Sequence, residues 1–311
     1  MATTAEEVRR RLVEHGLSIR DRVLDTMSYS YGVLAEQIRS ISRTYKTDLD
    51  SLIHSLSTVK NLDLLVIYIM LISILYKYKN LSDDDLRNIS KFYEEVMYDV
   101  FSASKTRRVL EEAGVDKEVA NSVVSDLVKS LNAVSRRHNP PYLWIVKQRK
   151  VADFENDIRR LIFRGEGGSR TGRGVKLFLR MFIHETNIPL AVRIAYGQEV
   201  KKYILHGDMY TALVTLRSGA FEDVQSITAE RIKTRAAKRI LCENRGGRCD
   251  DVVLRLESVR GLVRHVGKIS GDPVAYERGA YDVGVKYCKD LKCELCPMRN
   301  VCRKLTFIKL K

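Results

Sequence analysis

Apolar residues recur at intervals of three and four positions along most of the 311-residue chain, and no stretch alternates convincingly between apolar and polar residues. This spacing is typical of α-helices, whereas alternation would indicate strands, so the pattern predicts an all-α protein. Glycine and proline, the usual helix breakers, number only 18 and 5. The predicted helices span residues 3–26, 32–58 with a break near 45, 64–78, 82–101, 104–113, 116–137, 152–163, 175–183, 190–196, 209–218, 228–242, 250–266 and 272–288.

The longest apolar run, residues 64–76, is too short to span a bilayer and instead predicts a buried core helix. The first twenty residues are charged throughout and lack the apolar stretch of a secretory signal. We therefore expect a soluble cytoplasmic protein without a membrane partner.

Charge divides the chain into a neutral first part and a basic second part. Residues 1–140 contain 20 Lys and Arg and 20 Asp and Glu, whereas residues 141–311 contain 34 and 19, so the excess of +15 lies in the second part. This asymmetry indicates a polyanionic partner, and nucleic acid is the leading candidate. The alternative is a charge-rich surface of the thermophile type, which would predict balanced signs in both parts.

Two adjacent prolines, Pro140 and Pro141, mark the strongest break in the helical pattern. Because the charge balance changes at the same place, we predict a helical N-terminal region at residues 1–137, a basic domain at 138–287, and a cysteine loop with its tail at 288–311. No motif in the first region indicates chemistry. It is interpreted as a scaffold or as a surface for a protein partner, with Tyr29 and Tyr31 as exposed contacts.

A glycine- and arginine-rich stretch, residues 164–174, separates two of the predicted helices. Its five glycines predict a non-helical hairpin, because glycine is a poor helix former. Glycine lets backbone N–H groups approach a phosphate, and the following helix adds its dipole. A surface loop without a ligand is the alternative. The predicted DNA contacts are Arg164, Gly165, Gly167, Gly168, Arg170, Gly172, Arg173 and Gly174.

Four cysteines near the C-terminal end follow the spacing C-x4-C-x2-C-x5-C; they are Cys288, Cys293, Cys296 and Cys302. Four converging thiolates fit a [4Fe–4S] cluster or a tetrahedral zinc ion, and the spacing alone does not choose between them. Two local disulfides, or burial as small apolar side chains, are the alternatives. Without a secretory signal, such a cluster of cysteines favours a metal over disulfides. The other two, Cys242 and Cys249, either form a small disulfide or stay free.

The order of a helix, a glycine-rich hairpin, a helix, further helices and a four-cysteine loop resembles the helix-hairpin-helix DNA glycosylases of the endonuclease III type. Their cysteine spacing is C-x6-C-x2-C-x5-C, so the last two gaps match and the first is two residues shorter. Gly284 shortly before Cys288, and Cys296-Pro-Met, also resemble that family. The resemblance covers roughly residues 140–302. It implies a structural [4Fe–4S] cluster, with zinc as the alternative, and a hairpin that contacts DNA.

The positions that carry catalysis in that family are altered in this chain. Bifunctional members place a catalytic lysine at the start of the second hairpin helix, where this chain has Arg173 and Gly174, and the nearest amine is Lys176. Arginine is a poor replacement because it stays protonated and cannot act as a nucleophilic amine. The position of the family's catalytic aspartate is occupied by Ala191, and the nearest carboxylate is Glu185.

Together these features imply a DNA-binding protein of the DNA-repair class that keeps the cluster but lacks the usual catalytic lysine and aspartate. One alternative is an active DNA glycosylase that flips and excises damaged bases, with Lys176 and Glu185 as its catalytic residues. Another is a zinc-stabilised module that binds RNA or protein. Whether the chain is an enzyme depends on whether Lys176 and Glu185 are available for chemistry.

Overall fold

A computed structural model describes residues 4–19, 22–27, 29–45, 48–96, 101–166, 168–185 and 205–311. Helices make up most of the described chain, which confirms the all-α prediction. The chain forms two compact units by its internal contacts. Unit 1 combines Met1–Arg20 with Leu205–Lys311, and unit 2 is Asp21–Ile204.

Unit 2 is entirely helical in its described part, and local caps set several of its helix boundaries. Asp48 and Asp116 accept hydrogen bonds from backbone N–H groups at the starts of α4 (Leu49–Ser57) and α8 (Lys117–Ser135). Ser82 and Asp85 exchange backbone-to-side-chain hydrogen bonds of 2.8 and 3.0 Å at the start of α6 (Asp83–Val96), which form a capping box. The elements are α2 (Arg22–Thr26), α3 (Tyr29–Thr44), α4 (Leu49–Ser57), α5 (Leu62–Tyr78), α6 (Asp83–Val96), α7 (Ala103–Glu112), α8 (Lys117–Ser135), α9 (Tyr142–Val146), α10 (Val151–Leu161), α11 (Ser169–Arg180) and a π-helical turn (Met181–Glu185).

Helix α5 is the core of unit 2. Its residues from Leu64 to Tyr76 are all buried, as the apolar run predicts, and α8 and α11 pack against it. Gly174 of α11 allows the closest approach, because a Cβ there would lie 2.3 Å from the Ser73 carbonyl oxygen.

No single described helix has both the length and the apolar composition of a membrane span. Helices α4 and α5 meet both criteria only when they are taken as a pair, and that pair is bent by 92°.

Tyr31 belongs to the interior of unit 2. It is 5% exposed, and its ring stacks on that of Tyr68 with 5.1 Å between the centroids, while Tyr93 lies 6.3 Å away. The expectation that Tyr31 is an exposed contact is therefore wrong, because the aromatic cluster buries it. The side chain of Tyr29 lies outside what the structure describes.

The boundary predicted between residues 137 and 138 falls inside unit 2. Helix α9 follows the two prolines and packs on α5, where the Asp63 carboxylate accepts the N–H of Tyr142 at 3.1 Å. Trp144 of α9 then packs on Phe154 and Phe178, with ring centroids 5.4 and 5.8 Å apart. These contacts join α9 to α10 and α11, so the prolines mark a turn within a compact unit.

Unit 1 contains helices and one small parallel pair of strands. Val252 of β1 lies opposite Ile308 of β2, so the predicted helix at 250–266 is wrong at its start. The helix begins at Leu256, after the chain has paired with a strand far along the sequence. The elements are α1 (Thr4–Ser18), α12 (Met209–Ser218), α13 (Ile227–Asn244), β1 (Val252–Leu254), α14 (Leu256–Ile269), α15 (Pro273–Val283), a π-helical turn (Gly284–Cys288), a 3-10 turn (Cys293–Leu295) and β2 (Ile308–Leu310).

Helix α1 packs on α15 in unit 1, and two glycines allow the backbones to touch. A Cβ on Gly16 would lie 1.8 Å from the Ala275 carbonyl oxygen, and a Cβ on Gly279 would lie 2.1 Å from the Leu12 carbonyl oxygen. The predicted single helix over residues 3–26 is therefore wrong. It ends at Ser18 because α1 belongs to unit 1, whereas α2 belongs to unit 2.

We expect Gly279→Ala to lower the free energy of unfolding by about 2 kcal/mol or more, because the new methyl group overlaps the α1 backbone. Gly261→Ala makes the same chemical change in α14, where no atom lies within 4 Å, and should raise that free energy by about 0.5–1 kcal/mol through helix propensity. Urea unfolding of the whole chain measures both variants. Equal effects would contradict the importance of the α1–α15 contact.

Candidate functional site

The four C-terminal cysteines come together in unit 1. All four are free and partly buried, and they line a single cavity of about 30 Å³ beside Met298. Cys288 ends the π-helical turn after α15, and Cys293 begins the 3-10 turn. The convergence predicted from the spacing is therefore present, and the four do not pair as two local disulfides.

Short-range hydrogen bonds fold this loop. The Cys296 N–H donates to the Cys293 carbonyl oxygen at 3.2 Å, and the Cys302 N–H donates to that of Met298 at 2.9 Å. The side chain of Met298 is buried in the apolar core of unit 1, where it anchors the loop. The loop thus gains its shape from backbone bonds and one apolar anchor.

Backbone N–H groups and burial determine the electrostatics of the thiols. The N–H groups of Met298 and Lys304 lie 3.4 and 3.3 Å from the sulfur atoms of Cys296 and Cys302. Burial raises the pKa of Cys288 and Cys296, and it raises the pKa of Cys302 to about 11, which keeps these thiols neutral at pH 7. A coordinated metal ion acts in the opposite direction, because it deprotonates its thiol ligands.

Arg217, in the last turn of α12, connects the core of unit 1 to the cysteine loop. It is 5% exposed and donates to the carbonyl oxygens of Ile308 at 2.9 Å and Cys288 at 2.6 Å. One of its nitrogens also lies 3.8 Å from the Cys288 sulfur. No carboxylate in the described part of the chain pairs with it. A buried guanidinium is costly without an anion nearby, and a thiolate at Cys288 would supply one.

The sulfur atoms share a cavity without forming a coordination sphere. Among the described residues, no group of three or more His, Cys, Asp or Glu side chains is arranged so that it could hold a metal ion. The donor chemistry nevertheless fits a metal–thiolate centre, with four thiols around one cavity, N–H donors at two sulfurs and the Arg217 cation at a third. Four cysteine ligands would leave no position open to a substrate.

The other two cysteines form a disulfide. Cys242 in α13 and Cys249 before β1 are bonded, with their Cα atoms 6.0 Å apart. Of the two states that the sequence left open for this pair, the structure therefore has the bonded one. The pair does not line the cavity of the four free cysteines.

The predicted hairpin corresponds to α10, a turn at residues 162–166, and α11, which follows Gly168. Helix α10 ends in a left-handed turn, with φ of 53° at Arg164 and 77° at Gly165, and the Gly165 N–H reaches back to the Arg159 carbonyl oxygen at 2.8 Å. Gly168, with φ of 105°, directly precedes α11 and has no side chain that could cap the helix. The first N–H groups of α11 are therefore left without a cap from that residue.

The prediction that all five glycines lie outside helices is wrong. Helix α11 begins at Ser169, so Gly172 and Gly174 are helical. The packing of α11 on α5 outweighs the low helix propensity of glycine, and at Gly174 that packing requires the absence of a side chain. Gly174 is thus a packing residue, buried against α5.

The other predicted hairpin contacts have different environments. Arg164 is exposed, whereas the Arg173 guanidinium donates to the Asn80 side-chain oxygen. Gly167 lies outside the described residues, and only the backbone of Arg170 is described. The structure therefore leaves Arg164, Gly165 and Gly168 as the turn residues of the hairpin.

Lys176 is held in an ion pair. Its amine lies 2.7 Å from the Glu155 carboxylate of α10, and the two side chains are only 11% and 12% exposed. Arg159 binds the same carboxylate at 2.7 Å. The pair joins α10 to α11, so the nearest amine to the hairpin has a structural partner and is not presented to solvent.

The other catalytic candidate cannot be placed in the same way. Glu185 ends the turn Met181–Glu185, and the structure describes only its backbone. Ala191 lies in residues 186–204, outside the described chain.

The sequence pattern did not single out Arg217. The signal for it was available, because Arg217 is the only charged residue in the segment that forms α12.

We expect Lys176→Met to lower the free energy of unfolding at pH 7 by about 3 kcal/mol, because it leaves the Glu155 carboxylate buried with one cation fewer. Burial raises the pKa of Glu155, but Lys176 and Arg159 together bring it below its ordinary 4.5. The ion pairs thus stabilise the fold above pH 4.5, and this contribution is lost as the pH falls through the pKa of the folded state.

Urea unfolding across that pH range measures the effect, and the variant should lose less stability than the unchanged protein as the pH falls. The double variant Glu155→Gln with Lys176→Met removes both charges and should recover part of the loss at pH 7. Unchanged stability of Lys176→Met would contradict a structural ion pair.

The chain matches no known protein family model. No curated protein and no solved structure matches it either. A function for this chain is therefore inferred from the geometry and charges of its own residues.

Proposed function

We propose that this chain is a divergent helix-hairpin-helix protein of the endonuclease III type that binds double-stranded DNA and holds a [4Fe–4S] cluster. The observation that carries the proposal is the single cavity lined by four free cysteines next to the buried guanidinium of Arg217. The ligands would be Cys288, Cys293, Cys296 and Cys302. A four-thiolate metal centre is anionic, and it would give Arg217, which has no carboxylate partner among the described residues, a counter-charge.

When bound, the cluster would crosslink the four cysteines and so stabilise the fold of the C-terminal loop. The four cysteines would occupy all of its coordination positions, which favours a structural over a catalytic role. Arg217 holds this loop to α12 and β2 through the carbonyl oxygens of Cys288 and Ile308. Lys289 is exposed on the loop, which makes it a candidate contact for a phosphate backbone.

The hairpin of unit 2 would supply a DNA contact of its own. Support comes from the left-handed turn at Arg164 and Gly165 and from the N-terminus of α11 after Gly168, where N–H groups and the helix dipole favour an anion. Arg164 is exposed at this turn. Each unit thus has an exposed cation as a candidate DNA contact, Lys289 in unit 1 and Arg164 in unit 2.

Binding without base excision is the activity that the geometry supports best. A nucleophilic lysine must be a free amine at the reacting carbon, whereas Lys176 is buried in its ion pair with Glu155. Glu155 forms ion pairs with both Lys176 and Arg159, so it is a poor general base. The proposed function is therefore DNA recognition in repair, without the chemistry of a glycosylase.

The purified protein should be yellow-brown, with broad absorption at the border of the visible and ultraviolet, and should contain about four iron atoms per chain. Cys296→Ser should lose this absorption and destabilise unit 1, because metal binding and folding are coupled. The control is the double variant Cys242→Ser with Cys249→Ser, which also removes two thiols but should keep the iron. A colourless protein with tightly bound zinc would contradict the cluster and favour the zinc alternative.

The protein should bind duplex DNA, and the logarithm of its binding constant should fall linearly with the logarithm of the salt concentration, because each phosphate contact releases counterions. Fluorescence anisotropy with a labelled oligonucleotide measures it. Duplexes that contain uracil, thymine glycol or oxidised guanine should be bound and left intact over long incubation. A salt-independent isotherm would contradict nucleic-acid binding, and base release that Lys176→Met abolishes would establish the active-glycosylase alternative.

A further inference from the structure

Unit 2 contains a basic groove that the sequence did not indicate. It lies between α8 and α10 and extends to the hairpin turn, with a volume of about 560 Å³. We call it the α8–α10 groove. The side chains that give it its character are Lys129, Asn156, Arg159, Arg160 and Arg164, beside the backbone of Gly165. None of the described residues that line it is acidic.

The positive charge of this groove is only partly compensated. Arg159 binds Glu155 at 2.7 Å, but Glu155 is shared with Lys176, so one carboxylate faces two cations. Arg160 pairs with Asp157 within its own helix, and its side chain remains 56% exposed. Lys129 and Arg164 have no acidic partner among the described residues. A concave surface of this kind concentrates the field on an anion that enters it.

Arg164 adds an observation of a different type. Its φ of 53° places it in the left-handed region, three residues after the end of α10, and glycine is the usual residue at such a φ. A side chain there costs conformational energy, so arginine is not the residue that stability alone would select. Gly165 follows at once with φ of 77°, which shows that the turn already uses glycine where the backbone needs it. A ligand contact at the groove would account for an arginine in this conformation.

We propose that the α8–α10 groove is a phosphate-binding site, with Lys129 and Arg164 as its main contacts and the backbone of double-stranded DNA as its occupant. The proposal rests on the proposed function and deepens it. It extends the DNA site beyond the hairpin to α8, within the net-neutral residues 1–140 where the sequence indicated no chemistry. Arg159 and Arg160 supply further positive charge, and Asn156 supplies an uncharged donor for a phosphate oxygen.

The test uses the full-length protein and a fluorescein-labelled DNA duplex of mixed sequence. Arg164→Gly and Lys129→Met should each weaken binding several-fold at fixed salt, and each should reduce the slope of log affinity against log salt by about 1. Arg107→Ala is the matched control. It removes one exposed positive charge from α7, outside the groove, and should leave affinity and slope unchanged.

Urea unfolding of Arg164→Gly separates a ligand contact from a structural role. Glycine is the better residue at this φ, so the variant should unfold at an equal or higher urea concentration while it binds DNA less tightly. A lower unfolding midpoint would overturn the argument that Arg164 is kept for binding.

Two further outcomes distinguish the groove from the proposed function. If the unchanged protein binds the duplex in a salt-dependent way and both groove variants match it in affinity and slope, the groove proposal fails and DNA binding stands. If the unchanged protein does not bind the duplex, both fail. Tighter binding to an RNA duplex of the same length, lost in both variants, would overturn DNA as the occupant.

Discussion

Contact between helix backbones is the constraint on which both units depend. In unit 1 it occurs where Gly16 and Gly279 bring α1 against α15, and in unit 2 where Gly174 brings α11 against α5. At these points the packing distance is set by backbone atoms, and a single methyl group exceeds the available space. The candidate sites follow from this geometry. The cysteine loop continues from α15, and the hairpin turn leads directly into α11.

The buried cations of the protein differ in how they are neutralised. Arg9 is paired with Asp223 at 2.6 Å, and Lys176 with Glu155 at 2.7 Å. Arg217 has only carbonyl oxygens and the Cys288 sulfur around it in the described structure. Because an unneutralised buried charge is expensive, stability explains the first two, whereas the proposed anionic centre at the cysteines would account for the third.

What the sequence could predict was local, and what it could not predict depended on distant contacts. The helix at residues 209–218 coincides with α12, because helical period and a capping aspartate are read from neighbouring positions. The start of α11 was misplaced, since the packing on α5 that makes Gly174 helical involves residues about a hundred positions away. The convergence of the four cysteines on one cavity was predictable from their spacing alone. The role of Arg217 was not, because its contact with Cys288 spans 71 residues.

The composition of unit 1 from two separate stretches has a consequence for synthesis on the ribosome. Helix α1 emerges first, but its partner α15 begins only at Pro273, so α1 must wait for most of the chain to be translated. Unit 2 is continuous and can fold in the meantime. The cysteine loop comes after α15, and its cavity is lined in part by Val214 of α12. A metal cofactor would therefore be inserted only after α12, α15 and the cysteine loop have all been translated.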